Sequence, residues 1–160
     1  MQQTITEVTY KDALTGLRNG ATCDMMLEEV TAEMSAGMRE FAIAVMDVNK
    51  THHINETYGR DKGDAYLKGC STLICYTFKH SPVFRYGGDE FVAILKGADL
   101  EDRDKRLDYM RREMANMKLA PDEWKRLSVA AGIAVCGPED RTALEVLERA
   151  RISMLEEKAK

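Results

Sequence analysis

Apolar residues follow two rhythms along this chain. From Thr22 to about Gly37, Met26, Leu27, Val30 and Met34 recur at helical spacing. Phe41 to Val48 is instead a continuous apolar run interrupted only by Asp47, which predicts a buried central strand carrying an acid at its carboxyl end. Tyr66, Leu67, Cys70, Leu73, Ile74 and Thr77 share one side of a predicted helix from Asp61 to Phe78. Next, Val83 to Tyr86 and the alternating segment Phe91 to Leu95 flank two glycines, the pattern of a β-hairpin with a tight turn. Leu100, Leu107, Met110, Met114 and Met117 mark another helix. A further buried strand lies within Trp124 to Val135, and Leu144, Leu147, Ala150 and Met154 form the inward stripe of a helix starting near Arg141. The order helix, strand, helix, hairpin, helix, strand, helix predicts an α/β (α+β) sandwich with a mostly antiparallel central sheet flanked by helices.

Composition narrows the function classes. At 160 residues the chain is one domain with room for a real core. With 44% hydrophobic and 31% charged residues it reads as a soluble globular domain, with no apolar run of bilayer length and no signal-peptide pattern. A cytoplasmic location with no membrane contact by this segment is therefore expected. Cys23, Cys70, Cys75 and Cys136 are scattered without a CxxC pair and read as core residues in a reducing compartment. A net charge of −4 argues against a nucleic-acid polymer as partner, and an anionic ligand would need metal ions and local cations. Residues 1 to 11 are polar and read as a connector tail from a missing upstream segment, with the domain proper at 12 to 160.

The chemistry concentrates in two stretches. Asp89 and Glu90 follow Gly87 and Gly88 at the start of a strand, where neighbours point to opposite faces, so the two carboxylates cannot do the same job. Such a turn could be only a polar hairpin tip. With Asp47 on a shared sheet, however, Asp89 could chelate a cation, because magnesium takes one or two carboxylates and keeps waters and substrate phosphates. Alone, Asp47 could equally cap the following turn. The second stretch runs from Asn55 to Asp64. Read alone, Asp64 in this stretch is an ordinary first-turn helix acid interacting with the dipole. No P-loop and no GxGxxG occurs.

Arg85-Tyr86-Gly87-Gly88-Asp89-Glu90-Phe91 resembles the signature of the GGDEF family, the diguanylate cyclase domains. Asp12-Ala13-Leu14-Thr15-Gly16-Leu17-Arg18-Asn19 resembles that family's D-x-L-T-G-L-x-N opening, with Gly20 where Arg is usual. Ile54, Asn55, Gly59, Gly63 and Asp64 are in register with its F-K-x-I-N-D-x-x-G-H-x-x-G-D block. The resemblance implies a palm-type nucleotidyl cyclase fold and condensation of two GTP into cyclic di-GMP and two pyrophosphates. It implies a facing homodimer, Mg2+ (or Mn2+), and an upstream sensory or signalling domain. Asp47, the Val48 carbonyl and Asp89 would hold metal. Asp89 would accept the proton of the 3′-hydroxyl, with Glu90 assisting at a second metal position. Asn55 and Asp64 would read guanine, since a carboxylate can accept from both its N1–H and its exocyclic amine whereas adenine presents an acceptor at N1. Arg60, His52 and Lys158 would meet the substrate; for Lys158 a frayed terminal lysine is an equal alternative.

Departures from the family pattern are specific. Thr51 stands where an aromatic or Leu is usual and His52 where Lys is usual, and Arg60 replaces the usual His. Phe78 and Ser81 stand where many members carry R-x-x-D, so no inhibitory product site is expected. The last helix matches A-D-x-A-L-Y-x-A-K at Ala150, Met154 and Lys158, with Arg151, Ser153, Leu155 and Glu157 instead of the rest. The alternative is a catalytically weak or inactive domain that binds GTP as a regulatory sensor.

Overall fold

The computed structural model describes residues 10–160. The connector reading of residues 1 to 11 falls almost wholly outside them. A five-stranded sheet in the order β1-β3-β4-β2-β5 forms the centre. Its members are β1 (Arg18–Asn19), β2 (Ala42–Val48), β3 (Val83–Arg85), β4 (Glu90–Leu95) and β5 (Val129–Val135). Only β1 and β3 pair in parallel; β3–β4, β4–β2 and β2–β5 are antiparallel, as expected for a mostly antiparallel sheet.

Alternate residues of the strands feed two cores. Ala44, Met46, Phe91 and Ala93 join Tyr66, Leu67, Cys70 and Ile74 of α3 (Arg60–Thr77), with Leu107 and Met110 of α5 (Arg103–Met117). Ile43, Val45, Val92 and Ile94 face Leu27, Val30 and Met34 of α1 (Gly20–Ser35) and Val146, Leu147, Ala150 and Met154 of α6 (Ala143–Lys158). Gly132 lets α6 close on the sheet, since a Cβ there would lie 2.2 Å from the Met154 nitrogen. Two short helices, α2 (Thr51–Tyr58) and α4 (Gly97–Glu101), and a 3-10 turn at Glu123–Lys125 complete the chain.

Several expectations need correction. The span from Asn49 to Asp64 holds a separate helix, α2, ended by Gly59 at φ 93, before α3 begins. Leu144 lies on the exposed side of α6, and Ala143 and Val146 take up the inward stripe with Leu147, Ala150 and Met154. By contrast, the strand expected within Trp124 to Val135 is present as β5, preceded by the 3-10 turn. The β3–β4 connection spans residues 86–89 and is not a two-residue turn. Neither Gly87 nor Gly88 has positive φ, so their value is not conformational. A Cβ on Gly88 would meet nothing within 4 Å, so the glycine leaves that rim bare.

Candidate active site

The ends of β2 and β4 lie side by side. Asp47 faces Glu90 across the ladder, and Val48 N–H donates to the Asp89 carbonyl at 2.8 Å. Because side chains alternate, the adjacent acids of the hairpin part company. Asp89 lines a cleft of about 600 Å³ together with Thr51, Asn55, Arg60, Gly63, Asp64, Arg85 and Gly88. Glu90 turns to the α6 face, where Arg151 holds it.

The cleft is floored by the two helices that follow β2. Tyr66 fixes their starting point by donating its hydroxyl to the Asn49 carbonyl at 2.6 Å, and burial pushes that phenol well above its usual pKa. Asn49 itself is tied to Ser128 through its backbone N–H at 2.9 Å and its amide at 3.1 Å. Lys50 then takes a left-handed conformation (φ 68) and gives α2 no side-chain cap. The first N–H groups of α2 therefore lack a side-chain acceptor, an arrangement suited to an anion. Asn55 Oδ1 and Thr51 Oγ1 are buried without a hydrogen-bond partner. Gly63 makes room for the former, since a Cβ there would fall 1.6 Å from Asn55 Oδ1.

A clasp holds the hairpin rim. Arg85 donates to Asp12 Oδ1 at 2.9 Å and, through Nε and Nη2, to the Gly88 carbonyl at 3.2 and 2.8 Å. The second Asp12 oxygen accepts from Thr15 N–H at 2.8 Å and from the Thr15 hydroxyl at 2.7 Å. Burial raises the Asp12 pKa, but these bonds from Thr15 and Arg85 outweigh it and leave the carboxyl below its ordinary value. The signal for this clasp is visible in the chain as an acid in the turn-rich opening and an arginine before the glycines, 73 residues apart; nothing in the sequence pairs them.

On the opposite face, Lys158 Nζ lies 2.6 Å from Asp47 Oδ2, and Arg151 Nε lies 2.8 Å from Glu90 Oε1. The substrate-binding expectations thus divide. Asn55, Arg60 and Asp64 line the cleft, whereas Lys158 sits on Asp47 and His52 points outward. The His52 side chain is 87% exposed and 3.0 Å from Glu56. Phe78 is buried in the core, and Ser81 donates to Asp99 Oδ2 at 2.6 Å.

The residues fit a hard divalent cation by their chemistry. Asp47, the Val48 carbonyl and Asp89 are oxygen donors, and a cationic group already rests on Asp47. Among the described residues no preformed cluster of three His, Cys, Asp or Glu side chains is present. Magnesium bound by few carboxylates and substrate phosphates needs none.

The model of the GGDEF diguanylate cyclase domain matches residues 9–160. The chain belongs to the GGDEF family. Its relatives include uncharacterized membrane proteins of Staphylococcus epidermidis (31% identical over 133 residues) and Staphylococcus aureus (30% over 132). Each alignment covers 81% of this chain and 37% of the relative, so the chain spans little more than a third of their length. No helix among the described residues is long and apolar enough to cross a membrane. Among solved structures, the GGDEF domain of DgcB from Caulobacter crescentus in complex with c-di-GMP is similar at 25% identity and TM-score 0.79, covering 94% of this chain and 90% of that one. SiaD from Pseudomonas aeruginosa, a diguanylate cyclase solved with its activator SiaC, shares the fold at TM-score 0.77 and 23% identity, covering 99% and 61%. The mixed α/β architecture with a helix-flanked sheet is thus that of GGDEF domains.

Proposed function

We propose that this GGDEF domain is a diguanylate cyclase that condenses two GTP into cyclic di-GMP, two domains facing each other with one GTP each. The observation that carries the reading is the cleft itself, which Asn55, with its buried and unpartnered carbonyl oxygen, lines together with Asp64 and Asp89. Asn55 and Asp64 take the guanine edge, Asp64 accepting from N1–H and the exocyclic amine. Adenine would leave a carboxylate facing an acceptor, a mismatch of about 1.5–3 kcal/mol. The uncapped start of α2 takes the phosphates, with Arg60 at the cleft wall. Asp47, the Val48 carbonyl and Asp89 would hold magnesium, which when bound neutralises phosphate charge and lowers the pKa of the attacking hydroxyl. Asp89 accepts the proton as the 3′-oxygen of the nucleotide on the facing domain bonds to the α-phosphorus and the bond to pyrophosphate breaks. The Arg85–Asp12 clasp keeps Gly88, and with it Asp89, in register for that attack.

Because one domain offers half of the reaction centre, turnover rises steeply with local concentration, and an upstream dimerising segment would supply it. Incubating concentrated protein with GTP and Mg2+ tests the reading: cyclic di-GMP should accumulate, and Asp89→Ala should abolish it, by about 100-fold or more, while GTP binding persists. A second reading, a GTP-binding sensor without turnover, is favoured by the outward His52 and the Arg151-held Glu90. GTP bound with no product at any protein concentration would select it.

A further inference from the structure

Asp47 and Glu90 stand opposite each other on the α6 face, and both are met by cations from that one helix. The two cations are held differently. Lys158 offers a single ammonium contact from the last residue of α6, with its side chain 44% exposed. Arg151 commits three directed N–H groups: Nε and Nη2 to the two Glu90 oxygens at 2.8 and 3.4 Å, and Nη1 to Glu148 at 2.6 Å. Its side chain is only 27% exposed, and its guanidinium lies 5.9 Å from the Tyr86 ring centre. A two-point guanidinium–carboxylate pair braced by a second acid is much harder to exchange than one terminal ammonium.

We propose that Arg151 is a positioning residue that keeps Glu90 out of the metal-ligand set, so that the domain takes a single divalent cation at Asp47 and Asp89. The proposal rests on the cyclase reading above and replaces the expectation that Glu90 serves a second metal. An incoming cation displaces Lys158 from Asp47 readily. At Glu90 it meets a guanidinium that Glu148 also holds, and a cation drawn to that carboxylate would be repelled by it. The residue doing this is a departure of this chain, since the matching helix position in the family pattern is an acid.

Manganese titration of the intact chain, saturated with a non-hydrolysable GTP analogue and read by electron paramagnetic resonance, counts bound ions without turnover. The wild type is expected to bind about one Mn2+, R151Q about two, and R151Q/E90Q about one again. E90Q alone should leave count and affinity as they are, and it tests the proposal even where R151Q folds poorly. Two ions on the wild type, a folded R151Q still holding one, or a loss of about tenfold or more in Mn2+ affinity in E90Q would overturn it. A wild type that binds neither nucleotide nor Mn2+ would instead overturn the cyclase reading beneath it.

Discussion

The two faces of the sheet meet the same strand ends in opposite states. On the α2–α3 face, Asn55 Oδ1 and Thr51 Oγ1 are buried with no partner, and Gly88 leaves its rim open. On the α6 face, Asp47 and Glu90 are each matched by a cation. A buried acceptor without a partner costs about 1–3 kcal/mol, and a ligand that supplies a donor recovers it. On the other face a ligand must displace an existing partner, so the same contact gains less. The cleft is therefore open to a ligand that brings a donor, whereas the carboxylates of the α6 face are already matched by cations.

The largest break in that comparison should come from Gly63→Ala. The added methyl would occupy the space of Asn55 Oδ1 and push the amide off its place. GTP affinity should fall by about 10–100-fold, the worth of one to two hydrogen bonds. Alanine is also the better helix former by about 1 kcal/mol, which offsets part of the clash. Calorimetric titration with GTP beside a thermal melt separates the effects: affinity should drop with Tm little changed. A lower Tm with intact GTP affinity would reduce the Asn55–Gly63 contact to packing.

A smaller effect is expected at the clasp that anchors the hairpin to the start of the domain. The Arg85 and Asp12 side chains are 17% and 20% exposed, so their pairing is only partly screened. Asp12→Asn should cost about 1–3 kcal/mol at neutral pH. The sign with pH follows from the depressed carboxyl. A folded-state pKa below the ordinary 3.8 means the stabilisation is complete above 3.8 and fades as pH falls through the lower folded value. Urea midpoints of wild type and Asp12→Asn should thus differ at neutral pH and converge in acid. A gap that stays constant down the whole range would assign the loss to packing.

What the sequence made legible was set by how locally each feature is encoded. The run from Phe41 to Val48 reads as a central strand because it is buried on both faces, and the separation of Asp89 from Glu90 follows from strand geometry alone. Helix α2 was hidden because THHINETY has one buried apolar residue, Ile54, and so no stripe; its end depends on Gly59 at positive φ. The two-residue β1 has no strand signal and exists through pairing with β3. The Arg151–Glu90 pair joins residues 61 apart, and only the packing of α6 on the sheet brings them together. Arg151 was visible as a departure from the family pattern, but its partner was not.

The smallest expected effect sharpens the contrast between the two cations of α6. Lys158→Met removes an ammonium from Asp47 while keeping the alkyl stem. The lysine side chain is 44% exposed at a helix end, so its loss should cost at most about 1 kcal/mol of stability. Mn2+ binding measured without nucleotide should tighten by roughly 1.4- to fivefold, the same 0.2–1 kcal/mol returned to the metal. Leaving nucleotide out is essential, because a lysine that moves to the phosphates once GTP is present would reverse the sign. Tighter metal binding in its absence and weaker GTP binding in its presence would together show Lys158 exchanging between the two. Unchanged metal affinity would mean that the ammonium on Asp47 is no competitor, and the difference in grip between Lys158 and Arg151 would lose its consequence.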